Sequence, residues 1–111
     1  MEKRSIQMDS RDNVATVLSD VAEGDVVQVF DTNQNLLGQI TARQSIPMGN
    51  KLALADLEAG GTMVKYGERV GTVCKPILKG QLVHVHNVRS IHLDIPEAII
   101  QEIIQVMNIT E

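Results

Sequence analysis

One short phrase is written three times in this chain, and it limits the possible folds more than any other feature. Asp20-Val21-Ala22-Glu23-Gly24, Asp56-Leu57-Glu58-Ala59-Gly60 and Pro76-Ile77-Leu78-Lys79-Gly80 each run from Asp or Pro through an aliphatic residue and two variable residues to Gly. Each suits a single helical turn. Asp accepts the first free backbone N–H groups, or Pro has none to satisfy; the aliphatic residue pins the turn to the core; Gly takes the left-handed exit without a Cβ penalty. A β-prone stretch follows each copy, at Val26-Val27, at Val64 and at Leu82-Val83. The copies begin at positions 20, 56 and 76, a spacing too irregular for a solenoid. The phrase therefore predicts a β domain whose strands are each entered through the same device.

The segments between the copies agree. Val26-Val27-Gln28-Val29-Phe30, the polar cluster Asp31 to Asn35, and Leu36-Leu37-Gly38-Gln39-Ile40 read as a hairpin. Ile46-Pro47-Met48-Gly49-Asn50 reads as a loop, since Pro removes a ladder donor and Gly49 permits positive φ. Met63 to Tyr66 and Glu68 to Gly71 flank Gly67, which predicts another tight turn. No stretch before Ser90 sustains a 3.6-residue period, and the connections are too short for βαβ crossovers. The expected fold class is mainly β.

The last segment differs in kind. Asp94-Ile95-Pro96-Glu97 is a helix start, with Asp94 as cap and Glu97 three residues later, and Ile95, Ile99, Ile103 and Met107 recur at helical spacing. A helix from Ile95 to Met107 is predicted, packed on its own sheet or docking part of its wide apolar arc on another chain, as a homo-oligomer or subunit contact. At 111 residues the chain divides into a flexible N-terminus (1–11), one β domain (12–92) and the C-terminal helix segment (93–111).

Charge and composition remove several function classes. A net charge of -4 and 2% aromatic residues argue against nucleic acid or an anionic membrane as partner. The polar N-terminus and the lack of a long apolar run predict a cytoplasmic protein without a membrane span. Cys74 is the single cysteine, without a CxxC or neighbouring His, and is expected to be a small core hydrophobe.

All three histidines fall in Val83-His84-Val85-His86-Asn87-Val88-Arg89-Ser90-Ile91-His92. If this run is a strand, His84 and His86 share one face about 6.5 Å apart. Two such imidazoles can reach one metal ion or one oxyanion, with His92 or a carboxylate completing a site; the alternative is a hydrogen-bonded structural pair.

The runs Ile46-Pro47-Met48-Gly49-Asn50-Lys51-Leu52-Ala53-Leu54, Val64-Lys65-Tyr66-Gly67-Glu68-Arg69-Val70-Gly71 and Gly80 followed by Val83-His84-Val85-His86-Asn87 resemble the SAF domain that opens the altronate and galactarate dehydratases. Asp12-Asn13-Val14-Ala15 is similar to that family's opening. The resemblance covers roughly residues 10 to 91. It implies a β-clip fold. It also implies a lyase that removes water from a sugar acid, or sulfite from a similar 2-hydroxy acid as in the sulfolactate sulfo-lyases. Such lyases use iron or another divalent metal, and in several of them this domain is a small subunit paired with a large one.

On that resemblance His84 and His86 are the candidate catalytic residues and metal ligands, and Asn87, Lys51 and Asn50 the candidate substrate-binding residues. Asn50 departs from the family, which usually has His there, and cannot shuttle a proton in the neutral range. These groups are too few for a complete site, so a large lyase subunit is expected to hold most of the metal and to be required for activity. A non-catalytic carbohydrate-binding or assembly module is the alternative.

Overall fold

The computed structural model describes residues 2–84, 86–90 and 96–109. The strands are β1 (Lys3–Ile6), β2 (Val14–Val17), β3 (Val26–Phe30), β4 (Leu36–Thr41), β5 (Lys51–Ala53), β6 (Thr62–Lys65), β7 (Glu68–Val73), β8 (Leu82–Val83) and β9 (Val88–Ser90), followed by helix α1 (Glu97–Met107). The chain is thus mostly β with one C-terminal helix. Among the described residues one sheet runs β4-β3-β1-β2-β5-β8 and a second runs β6-β7-β9.

Alternation sets the strands. Val27 and Val29 are buried while Val26 is exposed and Gln28 half-buried, so β3 offers one apolar face and pairs antiparallel with β4 in the predicted hairpin. Asp31 closes its loop, accepting from the backbone N–H groups of Asn33 (2.8 Å) and Asn35 (2.9 Å). The second hairpin, β6–β7, turns on Tyr66 and Gly67 with φ of 57° and 72°, which fits the mirror-image turn that matches strand twist.

Strands β2, β5 and β8 are buried on both sides. Ala15, Val17, Leu52 and Leu82 belong to one core cluster, while their neighbours Val14, Ala53 and Val83 belong to the other. A period of two dealt into two cores makes these strands near-continuous apolar runs.

The N-terminus corrects an expectation. Residues 1–11 contain β1, which lies parallel to β3 from Lys3↔Val27 to Ile6↔Phe30 and antiparallel to β2. Ser5 is fully buried and its Oγ donates to the Gln28 carbonyl (3.0 Å). Lys3 and Arg4 make the segment look like a solvated tail, yet its backbone is a sheet interior.

The repeated phrase has a fourth copy, Ile46-Pro47-Met48-Gly49, in the segment expected to be a loop. The four form two pairs. Val21 and Ile46 exchange backbone hydrogen bonds (2.9 and 2.8 Å), and Leu57 and Ile77 do the same (2.7 and 2.9 Å). The units are β-turns and not helical turns, closed by Asp25 N–H to Ala22 O, Asn50 to Pro47, Gly61 to Glu58 and Gln81 to Leu78. Gly24, Gly49, Gly60 and Gly80 take positive φ, as this turn position demands. The expected caps are also redirected. Asp20 accepts from Met48 N–H (2.9 Å) and Asp56 from Lys79 N–H (2.8 Å), so each carboxylate caps the opposite turn of its pair.

Helix α1 starts after Pro96 and ends at Asn108, left-handed with φ 54°. The predicted cap Asp94 and first residue Ile95 lie outside the described residues. Ile100 and Ile104 are buried, while Ile99 and Val106 are exposed, the latter by 80%. The arc is therefore spent partly on the chain's own body, and Ile109 packs against the first core cluster. Among the described residues no helix is long and apolar enough to cross a membrane. Cys74 is exposed, contrary to its reading as a core residue, because Val73 before it takes the inward position at the end of β7.

Candidate functional site

A cleft of about 370 Å³ opens between β5, β8 and the β6–β7 hairpin. Lys51, the first residue of β5, is paired with Val83 of β8, and His84 follows at once, so one polar side chain reaches the cleft from β5 and the other from the end of β8. Lys65 ends β6 on the opposite wall, with Tyr66 beside it; its Nζ stands 5.0 Å from the Tyr66 ring centroid. Met63, Val70, Val83 and Val88 supply an apolar lining.

Buried Asp12 anchors that wall, accepting from Tyr66 N–H (3.0 Å), Gly67 N–H (2.8 Å) and Asp9 N–H (3.2 Å). Asn13 adds a second clasp: its Oδ1 accepts from Val64 N–H (2.8 Å) and its Nδ2 donates to Thr62 O (2.8 Å). The polar loop before β2 thus fixes where Lys65 and Tyr66 stand.

The electrostatics have one sign. Partial burial holds Lys51 below the ordinary ammonium range, and Lys65 pushes it the same way. His84 is held below the ordinary imidazole range, first by burial and then by Lys51. Ion pairs among the described residues join Arg4 to Glu2, Arg11 to Asp9 and Arg89 to Glu97; neither cleft lysine takes part in one. Among the described residues the half-buried lining collects positive charge and no carboxylate, an arrangement that suits an anion.

The altronate/galactarate dehydratase SAF domain family matches residues 3–91. This chain belongs to that family. The SAF domain is 40% identical over 85 residues to altronate dehydratase of Escherichia coli, a match covering 77% of this chain and 16% of that protein. It is 35% identical over 83 residues to (2R)-sulfolactate sulfo-lyase subunit alpha of Chromohalobacter salexigens, covering 74% of this chain and 88% of that subunit. The same subunit of Paracoccus pantotrophus is 39% identical over 59 residues.

Of the residues singled out in sequence, this SAF domain brings Lys51 and His84 together in the cleft and places Asn50, His86 and Asn87 outside its lining. The expected strand through His86 stops at Val83. Asn87 ends it: its Oδ1 accepts from His84 N–H (3.0 Å) and its Nδ2 donates to Leu82 O (2.8 Å), so a side-chain amide takes over the ladder positions. His86 is buried on the resulting turn with Nε2 3.1 Å from Asn87 Nδ2, away from the cleft lining. The shared-face geometry for His84 and His86 is therefore corrected, and Asn87 shapes the turn from a buried position. Asn50 donates to Pro47 O (3.1 Å) at the exit of its turn, also outside the lining.

A divalent metal does not suit this donor set. Among the described residues no three His, Cys, Asp or Glu side chains come together, and the one imidazole in the cleft stands with two ammonium groups that oppose a cation. His92 lies outside the described residues. Lys65 and Tyr66 were missed as site residues. The signal available was their place just before hairpin Gly67, in a phrase that resemblance had already marked.

Proposed function

We propose that this SAF domain is the small subunit of a lyase that eliminates water or sulfite from a 2-hydroxy acid in concert with a large chain. The observation that carries the reading is the placing of Lys51 beside His84 in a cleft whose described lining gathers cations and no carboxylate. Lys51 binds the substrate carboxylate and stabilises the negative charge that develops when the proton next to it is removed. His84, held toward its neutral form, can accept or return a proton near pH 7. The divalent metal, iron or another, is held by the large chain, since this cleft does not suit it. Length coverage of 88% of a sulfo-lyase alpha subunit supports the small-subunit role.

Co-expression with a large lyase chain tests the proposal, with elimination assayed on altronate, galactarate and sulfolactate. The expected result is turnover by the complex and none by this chain alone. If the complex with His84→Ala turns over at the unmodified rate, the catalytic role is wrong and a binding or assembly module is the better description.

A further inference from the structure

We propose that the cleft selects a small acid carrying two negative groups, Lys51 holding one and Lys65 the other. The claim about substrate rests on the lyase reading; the claim about binding rests on the cleft alone. The two ammonium groups stand on different walls, Lys51 at the start of β5 and Lys65 at the end of β6, so they offer two anchor points and not one bidentate clamp. They repel one another: Lys65 is among the causes that weaken protonation of Lys51.

A monoanion would leave one of these charges uncompensated in a partly desolvated place, whereas a dianion neutralises both. Met63, Val70 and Val83 provide apolar surface for the carbon chain joining the two groups. Glu68 faces Lys65 across the hairpin, but it is exposed and outside the lining, which leaves Lys65 available to a ligand. The volume lies at the small end of the range for ligand sites, which suits a compact acid.

Galactarate and altronate are the first two probes: galactarate ends in a carboxylate where altronate ends in a hydroxymethyl group, with the opposite configuration at the adjoining carbon. Sulfolactate adds a carboxylate and a sulfonate on a shorter chain. Each acid is titrated into the full chain at fixed ionic strength, with amide and imidazole NMR shifts as readout. Galactarate and sulfolactate are expected to bind about tenfold more tightly than altronate, with saturating shifts at Lys51, Lys65, Tyr66 and His84.

Lys65→Gln should erase the preference while leaving altronate affinity within about twofold, and Lys51→Gln should weaken all three acids about tenfold. Equal affinity for altronate and galactarate, a preference that survives Lys65→Gln, or no saturable shift overturns the proposal. So does a complex with the large chain in which the dianions no longer compete, which would mean that an acidic segment of the partner fills the cleft. Selective dianion binding without turnover by any complex would sink the lyase reading and keep the site; turnover with no dianion preference would do the reverse.

Discussion

Gly60 and Gly80 occupy the same place in two copies of one turn, and replacing each by Ala separates conformational strain from steric conflict. Their φ angles are nearly equal, +87° and +93°. A Cβ at Gly60 meets nothing within 4 Å, whereas one at Gly80 lies 2.5 Å from the Thr41 carbonyl oxygen. Gly80 cannot retreat without loss, because its N–H donates to Ala53 O (2.9 Å) and its carbonyl accepts from Arg43 N–H (2.9 Å).

Positive φ costs a non-glycine residue about 1–2 kcal/mol. A less flexible unfolded chain returns about 0.4–1 kcal/mol, leaving Gly60→Ala near a 1 kcal/mol loss. Gly80→Ala must add one or two broken backbone hydrogen bonds at about 1 kcal/mol each, for a loss near 3 kcal/mol. Urea denaturation with a common slope reads both, and the melting temperatures should fall by about 4 °C and about 12 °C. Equal losses would refute the claim that the Gly80 turn is wedged against Thr41.

Asp12→Ala is expected to cost about 3 kcal/mol and to shift the amides of Tyr66 and Gly67, since a buried carboxylate serving three N–H groups is removed; a melting temperature within 1–2 °C, roughly, would contradict it. Ile104→Ala should lose about 2–4 kcal/mol while Val106→Asp stays within about 0.5 kcal/mol, and the reverse order would mean that the helix face is misassigned. The pH dependence follows from His84, whose imidazole is depressed by burial and by Lys51. On acidification the unfolded chain takes up its proton first, so stability is full above the ordinary imidazole range and falls as pH drops through it toward the folded value. NMR titration should place the His84 midpoint below that of free histidine and raise it in Lys51→Gln; a midpoint at or above free histidine removes the argument.

The sequence was legible where a residue's local chemistry decides its place. Val27 and Val29 alternate and are buried, Gly67 turns a hairpin, and Ile100 and Ile104 carry the helix. It was not legible where a partner distant in sequence decides. Lys3 to Ile6 reads as a tail because its place between β3 and β2 depends on strands formed later in the chain. Asp20 and Asp56 look like caps for the turns they precede, and only the pairing of turns shows Met48 and Lys79 as the recipients. At the site, His84 and His86 alternate perfectly on paper, but the Asn87 amide breaks the strand between them, and an Asn side chain competing with a backbone ladder leaves no periodic trace. Lys65 entered the cleft through a turn that Asp12 fixes from 54 residues away.

The crossed capping of the paired turns has a kinetic consequence. While Val21 waits for Ile46, and Leu57 for Ile77, neither turn has its backbone partners and the later turn of each pair lacks its capping carboxylate, so a growing or refolding chain gains little from either half of a pair alone. Because β5 serves as the last strand of the first pair and the first strand of the second, the second pair is assembled on a template the first has completed. Folding of this small β domain should accordingly run from the N-terminal pair to the C-terminal pair, at the slow pace of long loop closure, with a barrier that substitutions in β5 raise more than substitutions in α1.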